Sequence, residues 1–127
     1  MTKTFATVAV GGAITVDAPD GSQVKILARC GKGSMAQFSL EVGLTSIAVC
    51  HRTVEELWYF TGGAGQMWRS EGPHEEVVDV RPGLSLSIPA GTSFQFRSTG
   101  PDPLQAIGVT MPPWPGMDEA RFVTGKW

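Results

Sequence analysis

His51 and Glu56 are the residues of this 127-residue chain whose types and spacing carry chemistry. His51 is one of only two histidines. Glu56 follows five positions later and opens the apolar run Leu57-Trp58-Tyr59-Phe60. A histidine beside a carboxylate in apolar surroundings can pass a proton, the carboxylate orienting the ring and favouring its charged form. The same two side chains can supply two ligands to a divalent transition metal. They can also do no chemistry and satisfy each other as a buried hydrogen-bonded pair. The residues leave these three readings open. Other reactive side chains are weaker candidates. His74, between Pro73 and Glu75, reads as a solvated surface residue. Strand alternation turns Cys50 to the opposite face from His51, which argues against a Cys–His nucleophile pair. Alternation turns Glu55 away from the interior for the same reason.

The elements that must position this pair read as short strands separated by turns. Residues 45–51 read as one strand, with Ile47, Val49 and His51 on one face. Residues 56–60 read as the next, with Glu56, Trp58 and Phe60 on one face. Five is an odd separation, so His51 and Glu56 share an interior only if residues 52–54 form a turn or bulge that resets the alternation. Ala36, Phe38, Leu40 and Val42 alternate with polar residues, as do Leu84, Leu86 and Ile88, each marking a strand with one buried face. Further strands are expected at residues 24–29, 66–69 (returning after a tight turn at 61–65), 76–80, 93–97 and, as the last, 104–111. Weaker β-prone segments span residues 6–10 and 13–16. Gly, Pro and Asp clusters at 17–21, 31–33, 81–83 and 89–91 supply turn chemistry, and residues 70–74 and 100–103 read as loops. The proline-rich run at 111–116 cannot lie inside a sheet. It begins a C-terminal tail, residues 112–127, expected to wrap over the strands with a short helical turn at 118–122. Trp114 and Trp127 are expected to pack on the strands or on a second subunit. Many short strands at regular spacing predict an all-β fold, an antiparallel jelly-roll β-barrel in a single domain spanning 1–127.

Two blocks carry a family resemblance. Gly43-x5-Val49-x-His51-x4-Glu56-x6-Gly63 follows the first cupin motif, G-x5-H-x-H-x(3–4)-E-x6-G. Gly83-x5-Pro89-x-Gly91-x2-Phe94-x3-Ser98 follows the second, G-x5-P-x-G-x2-H-x3-N. The chain therefore resembles a small single-domain cupin, with motif 1 at 43–63 and motif 2 at 83–98. The resemblance implies a barrel whose mouth commonly holds a metal on three histidines and a glutamate. Carried over, those positions are Val49, His51, Glu56 and Phe94, of which only His51 and Glu56 have donor atoms. A firm site usually needs three protein ligands, so no cofactor is expected. Fe, Mn, Ni or Zn would bind only with a further ligand such as Gln105, His74 or solvent. The resemblance implies an enzyme as the rival reading, either a metal-dependent dioxygenase or isomerase, or a metal-free acid–base isomerase using His51 and Glu56. It also implies a homodimer.

A cavity expected inside the barrel is lined by Phe38, Ile47, Val49, Trp58, Phe60, Phe94, Phe96 and Met111, with Gln105 a further candidate. Such a wall binds small, partly apolar molecules. The competing expectation is that these large side chains fill the interior. At 42% hydrophobic and 17% charged residues the chain reads as globular rather than disordered. A formal net charge of −2 and no basic run argue against a nucleic-acid partner. No apolar run reaches membrane-span length. The N-terminus has no signal-peptide pattern, and Cys30 and Cys50 read as free thiols, so a cytoplasmic location is expected.

Overall fold

The computed structural model describes residues 5–127, so residues 1–4 of the expected 1–127 domain lie outside the described residues. In chain order the strands are β1 (Thr15–Asp17), β2 (Gln23–Cys30), β3 (Gly33–Leu40), β4 (Val49–His51), β5 (Glu55–Gly62) and β6 (Gly65–Glu71). There follow β7 (His74–Val80), β8 (Ser85–Ile88), β9 (Ser93–Ser98), β10 (Leu104–Met111) and β11 (Ala120–Phe122). They form two antiparallel sheets, ordered β1-β2-β3-β10-β5-β8 and β11-β4-β9-β6-β7. The architecture is the all-β, antiparallel jelly roll that the strand pattern predicts. Its two sheets are not joined into a closed barrel.

The core lies between the sheets. Strand β5 shows why: Glu56, Trp58 and Phe60 are buried while Glu55, Leu57 and Tyr59 are exposed. Phe60, Met67, Ile88, Phe94 and Phe96 come from both sheets and are each at most 1% exposed. Burying a side chain of this size contributes roughly 1.5–3 kcal/mol before entropy is set against it. The four motif glycines Gly43, Gly63, Gly83 and Gly91 all have positive φ, from 70° to 95°. That backbone strongly favours glycine and turns the chain sharply at the strand ends.

Several expectations are corrected. Residues 66–69 do not return beside residues 56–60. Strand β5 already pairs with β10 and β8 on its two edges, so the chain crosses to the other sheet at Gly63-Ala64 and β6 pairs with β7 and β9. The loop expected at 70–74 shrinks to a Gly72-Pro73 turn between two paired strands. Residues 6–9 take no regular structure, Val10–Gly12 forms a 3-10 turn, and only Thr15–Asp17 finds a partner strand. Val42 lies beyond β3 and is 44% exposed. Strand β10 is not the last. The tail makes a 3-10 turn at Met117–Glu119 and then β11, which pairs with β4. Among the described residues no helix is long and apolar enough to cross a membrane.

Candidate functional site

His51 ends strand β4, which lies between β11 and β9 in its sheet. Its carbonyl accepts a hydrogen bond from Gly91 N at 3.0 Å, so the turn of the second motif helps fix the histidine of the first. The chain then bends at Arg52-Thr53 before β5 begins. This bend resets the alternation and puts Glu56 on the same interior as His51. The tail holds the bend in place. Glu119 Oε1 accepts hydrogen bonds from Thr53 N and from Val54 N, the latter at 2.7 Å, and Thr53 Oγ1 donates to the same carboxylate. Burial opposes ionisation of Glu119, but these bonds and the nearby His51 outweigh it and hold the carboxyl below its usual range.

His51 Nδ1 lies 3.0 Å from Glu56 Oε2, with the two side chains 8% and 2% exposed. The approach is close but off the direction of a good ring N–H bond, and neither atom has another hydrogen-bond partner. The other Glu56 oxygen, Oε1, accepts from Trp58 Nε1 at 3.1 Å. The imidazole is flanked by Trp114, 4.9 Å between ring centroids, and by the edge-on ring of Phe94 at 5.2 Å. Opposite, Phe38 and Trp58 stack at 4.6 Å and 9°. Gly108 makes room for that stack, since a Cβ there would sit 2.5 Å from the Phe38 ring.

These residues surround a cavity of about 440 Å³. Of the expected wall, Phe38, Val49, Trp58 and Phe94 line it, together with His51 and Glu56. Five expected residues do not. Ile47 is 49% exposed, because residues 46–48 lie outside any strand and the Ile47 N–H donates to Asp20 O instead of continuing the ladder. Phe60 and Phe96 face inward but lie in the packed core rather than in the cavity wall. Gln105 and Met111 fall on the outer face of β10, where Ala106, Gly108 and Thr110 take the inward positions. Gln105 Nε2 donates to Ser39 Oγ at 3.3 Å. The interior is therefore neither fully filled nor lined as broadly as expected.

Three contributors carry no sequence motif. Thr110 lines the wall as the inward residue of β10. Trp114 comes from the tail and closes over His51. Asp20 comes from the turn before β2 and is 5% exposed, its Oδ1 accepting from Ser22 N at 2.9 Å and Ser22 Oγ at 2.6 Å. Burial pushes the Asp20 carboxyl above its usual range, the Ser22 bonds oppose this, and the charge of Glu56 adds to the rise while His51 offsets it. A proline-turn aspartate gives no periodic signal. The Asp20 carbonyl accepts a long-range hydrogen bond from Ile47 N at 2.7 Å, which ties this turn to the opposite sheet's lead-in segment.

His74 is 79% exposed in its side chain and has no place in the site. Arg97 also lies outside, beneath the Trp127 ring at 4.2 Å. Cys50 is buried on the far side of β4 opposite Arg121, and both cysteines are free. Val49 and Phe94 stand directly opposite each other in register and both line the cavity. At these two positions the cavity presents hydrocarbon. Among the described residues no group of three or more His, Cys, Asp or Glu is placed to hold a metal ion. The donor set of His51 and Glu56 does not fit a firmly held divalent cation.

Fold and motif turns together define a double-stranded β-helix of the cupin type. No family model matches the chain. It is 29% identical over 83 residues to an uncharacterized protein of Methanocaldococcus jannaschii, a match covering 65% of this chain and 63% of that protein. The matched stretch thus spans less than two thirds of the relative's length. Among solved structures it is similar to a double-stranded β-helix domain protein of Klebsiella pneumoniae, with TM-score 0.71 and 13% identity over 93% of this chain and 96% of the other. It is likewise similar to Pac13, described as a nucleoside dehydratase and known from Streptomyces, with TM-score 0.72 and 12% identity over 97% and 92%. At these identities the likeness is one of fold.

Proposed function

We propose that this chain is a cupin-type domain that binds a small, partly apolar organic molecule in the cavity, with the metal position of such barrels given over to hydrocarbon. The observation that carries the reading is the cavity of about 440 Å³, walled by aromatic rings and holding a buried His51–Glu56 pair. Volume and lining are those of small-molecule sites, where a few polar groups orient a ligand held by apolar contact. The two free cysteines suit a reducing compartment, and a cytoplasmic homodimer is part of the proposal.

A second reading is an acid–base enzyme. It is favoured by the Nδ1–Oε2 contact, which turns the ring so that Nε2 is left for a ligand; among the described residues Nε2 makes no hydrogen bond. Pac13, described as an enzyme, shares the fold. Here Glu56 would orient the ring, His51 would take and return a proton, and Trp114 and Phe94 would limit water.

A ligand-observed NMR screen of small metabolites, run on the wild type and on Ala36→Phe, tests the reading. Ala36 lines the cavity beside Gly108, so a phenyl ring there fills the space without disturbing the pair. Binders are expected for the wild type and lost in the variant. Binders retained by a folded Ala36→Phe would place the site elsewhere.

A further inference from the structure

The cavity is acidic as well as aromatic. Among the described residues its titratable wall consists of the buried Asp20, Glu56 and His51 with the exposed Asp17, and its one permanently cationic residue, Arg29, is likewise exposed. Asp20 and Glu56 are buried at 5% and 2% exposure, and among the described residues no lysine or arginine makes an ion pair with either. Even with His51 protonated, the carboxylates outnumber the cations. Each acid also keeps an acceptor in reserve. Asp20 uses Oδ1 for both Ser22 bonds, and among the described residues Oδ2 has no partner. Glu56 gives Oε1 to Trp58, while Oε2 is buried without a well-directed hydrogen bond. Around them stand the faces and edges of Phe38, Trp58, Phe94 and Trp114.

The geometry points to a small organic cation as the ligand class: an ammonium group carried on an aryl or alkyl body. The ammonium lies between Asp20 and Glu56, where each N–H donor meets an acceptor that now has none. The body lies against the aromatic walls, whose π-faces attract positive charge. An anion is repelled by the same carboxylates, and a neutral isostere leaves them uncompensated. The raised pKa of Asp20 fits this placement, since a cation supplies the counter-charge that burial denies it. This inference rests on the cavity being a ligand site.

Three probes of nearly one shape separate the outcomes: phenethylammonium, 2-phenylethanol and phenylacetate. They are titrated calorimetrically at neutral pH and low salt into the wild type and Asp20→Asn. In the wild type the ammonium is expected to bind at least about tenfold more tightly than the alcohol, and the carboxylate not measurably. In Asp20→Asn the ammonium is expected to fall to within roughly threefold of the alcohol, whose own affinity holds. Glu56→Gln provides a second variant with the same expected loss, should Asp20→Asn fail to fold. Alcohol and ammonium binding equally to the wild type would overturn the cationic class and leave the cavity reading intact. A preference that survives in both folded variants would overturn it too. Binding of none of the three would overturn both.

Discussion

Glu119→Ala is expected to weaken the fold and the cavity together, because one carboxylate in the tail holds the bend that brings His51 and Glu56 onto one interior. Its Oε1 accepts from the N–H groups of Thr53 and Val54. Val54 is 0% exposed, so its N–H cannot turn to water when the acceptor is removed, a loss of about 1–3 kcal/mol. Thr53 is exposed and recovers water, so its bond contributes about 0.5–1.5 kcal/mol. The variant should therefore lose about 1.5–4.5 kcal/mol. Glu119→Gln keeps an acceptor oxygen and loses only the charge, at about 1 kcal/mol. The folded Glu119 carboxyl is held below its usual range, so the unfolded chain binds the proton more readily. Stability from this group is then fully present above the unfolded pKa and is lost as pH falls through the folded one. Urea unfolding of wild type, Gln and Ala variants measures this directly. The gap to the Gln variant should be full at neutral pH and close on acidification below about 4.3, while the gap to the Ala variant should shrink by that same amount only. A Glu119→Ala protein within about 0.5 kcal/mol of wild type at neutral pH would refute the role of the clamp.

Two further outcomes are expected. Val49→His with Phe94→His places two imidazoles opposite each other in register on the cavity wall beside His51 and Glu56. The double variant should take up a transition metal near one per chain by elemental analysis, and at a hundredfold excess over Kd should gain about 2.7 kcal/mol of stability; a folded variant that takes up none would contradict the inward geometry. The chain is also expected to form a homodimer, since Phe5, Ile14, Leu57 and Tyr59 are exposed and the edge strands β1, β7, β8 and β11 are unpaired on one side. Light scattering at micromolar concentration should give twice the 13.5 kDa of one chain, and a mass at 13.5 kDa would refute this.

What was legible in the sequence followed local rules. The alternation of β5 and β8 is plain because one face meets the core and the other meets solvent. The motif glycines mark turns because their positive φ is costly for other residues. The odd spacing of His51 and Glu56 demanded a bend at 52–54, and the chain bends there. What was missed depends on contacts between distant segments. Asp20 looks like any turn aspartate until Ile47 N bonds to its carbonyl. Glu119 looks like a surface residue of the tail until it caps a bend sixty-six positions away. Gly63-Ala64 has the composition of a hairpin turn, and only the occupied edges of β5 force the chain to the other sheet. Gln105 and Met111 fall on the outward parity of β10, where Ala106, Gly108 and Thr110 hold the inward positions.

A small molecule bound in the cavity is expected to meet His51, and the chain's two histidines report whether it does. His51 is 8% exposed in its side chain and lines the cavity, whereas His74 is 79% exposed and lies outside it. With histidine-specific ¹⁵N labelling, ring resonances are followed while a molecule identified by the NMR screen is titrated in. The expected result is that the His51 ring nitrogens shift with the ligand's saturation curve and those of His74 stay fixed. Saturable binding that leaves the His51 nitrogens unmoved would show that the ligand does not meet this pair and that the cavity is not its site.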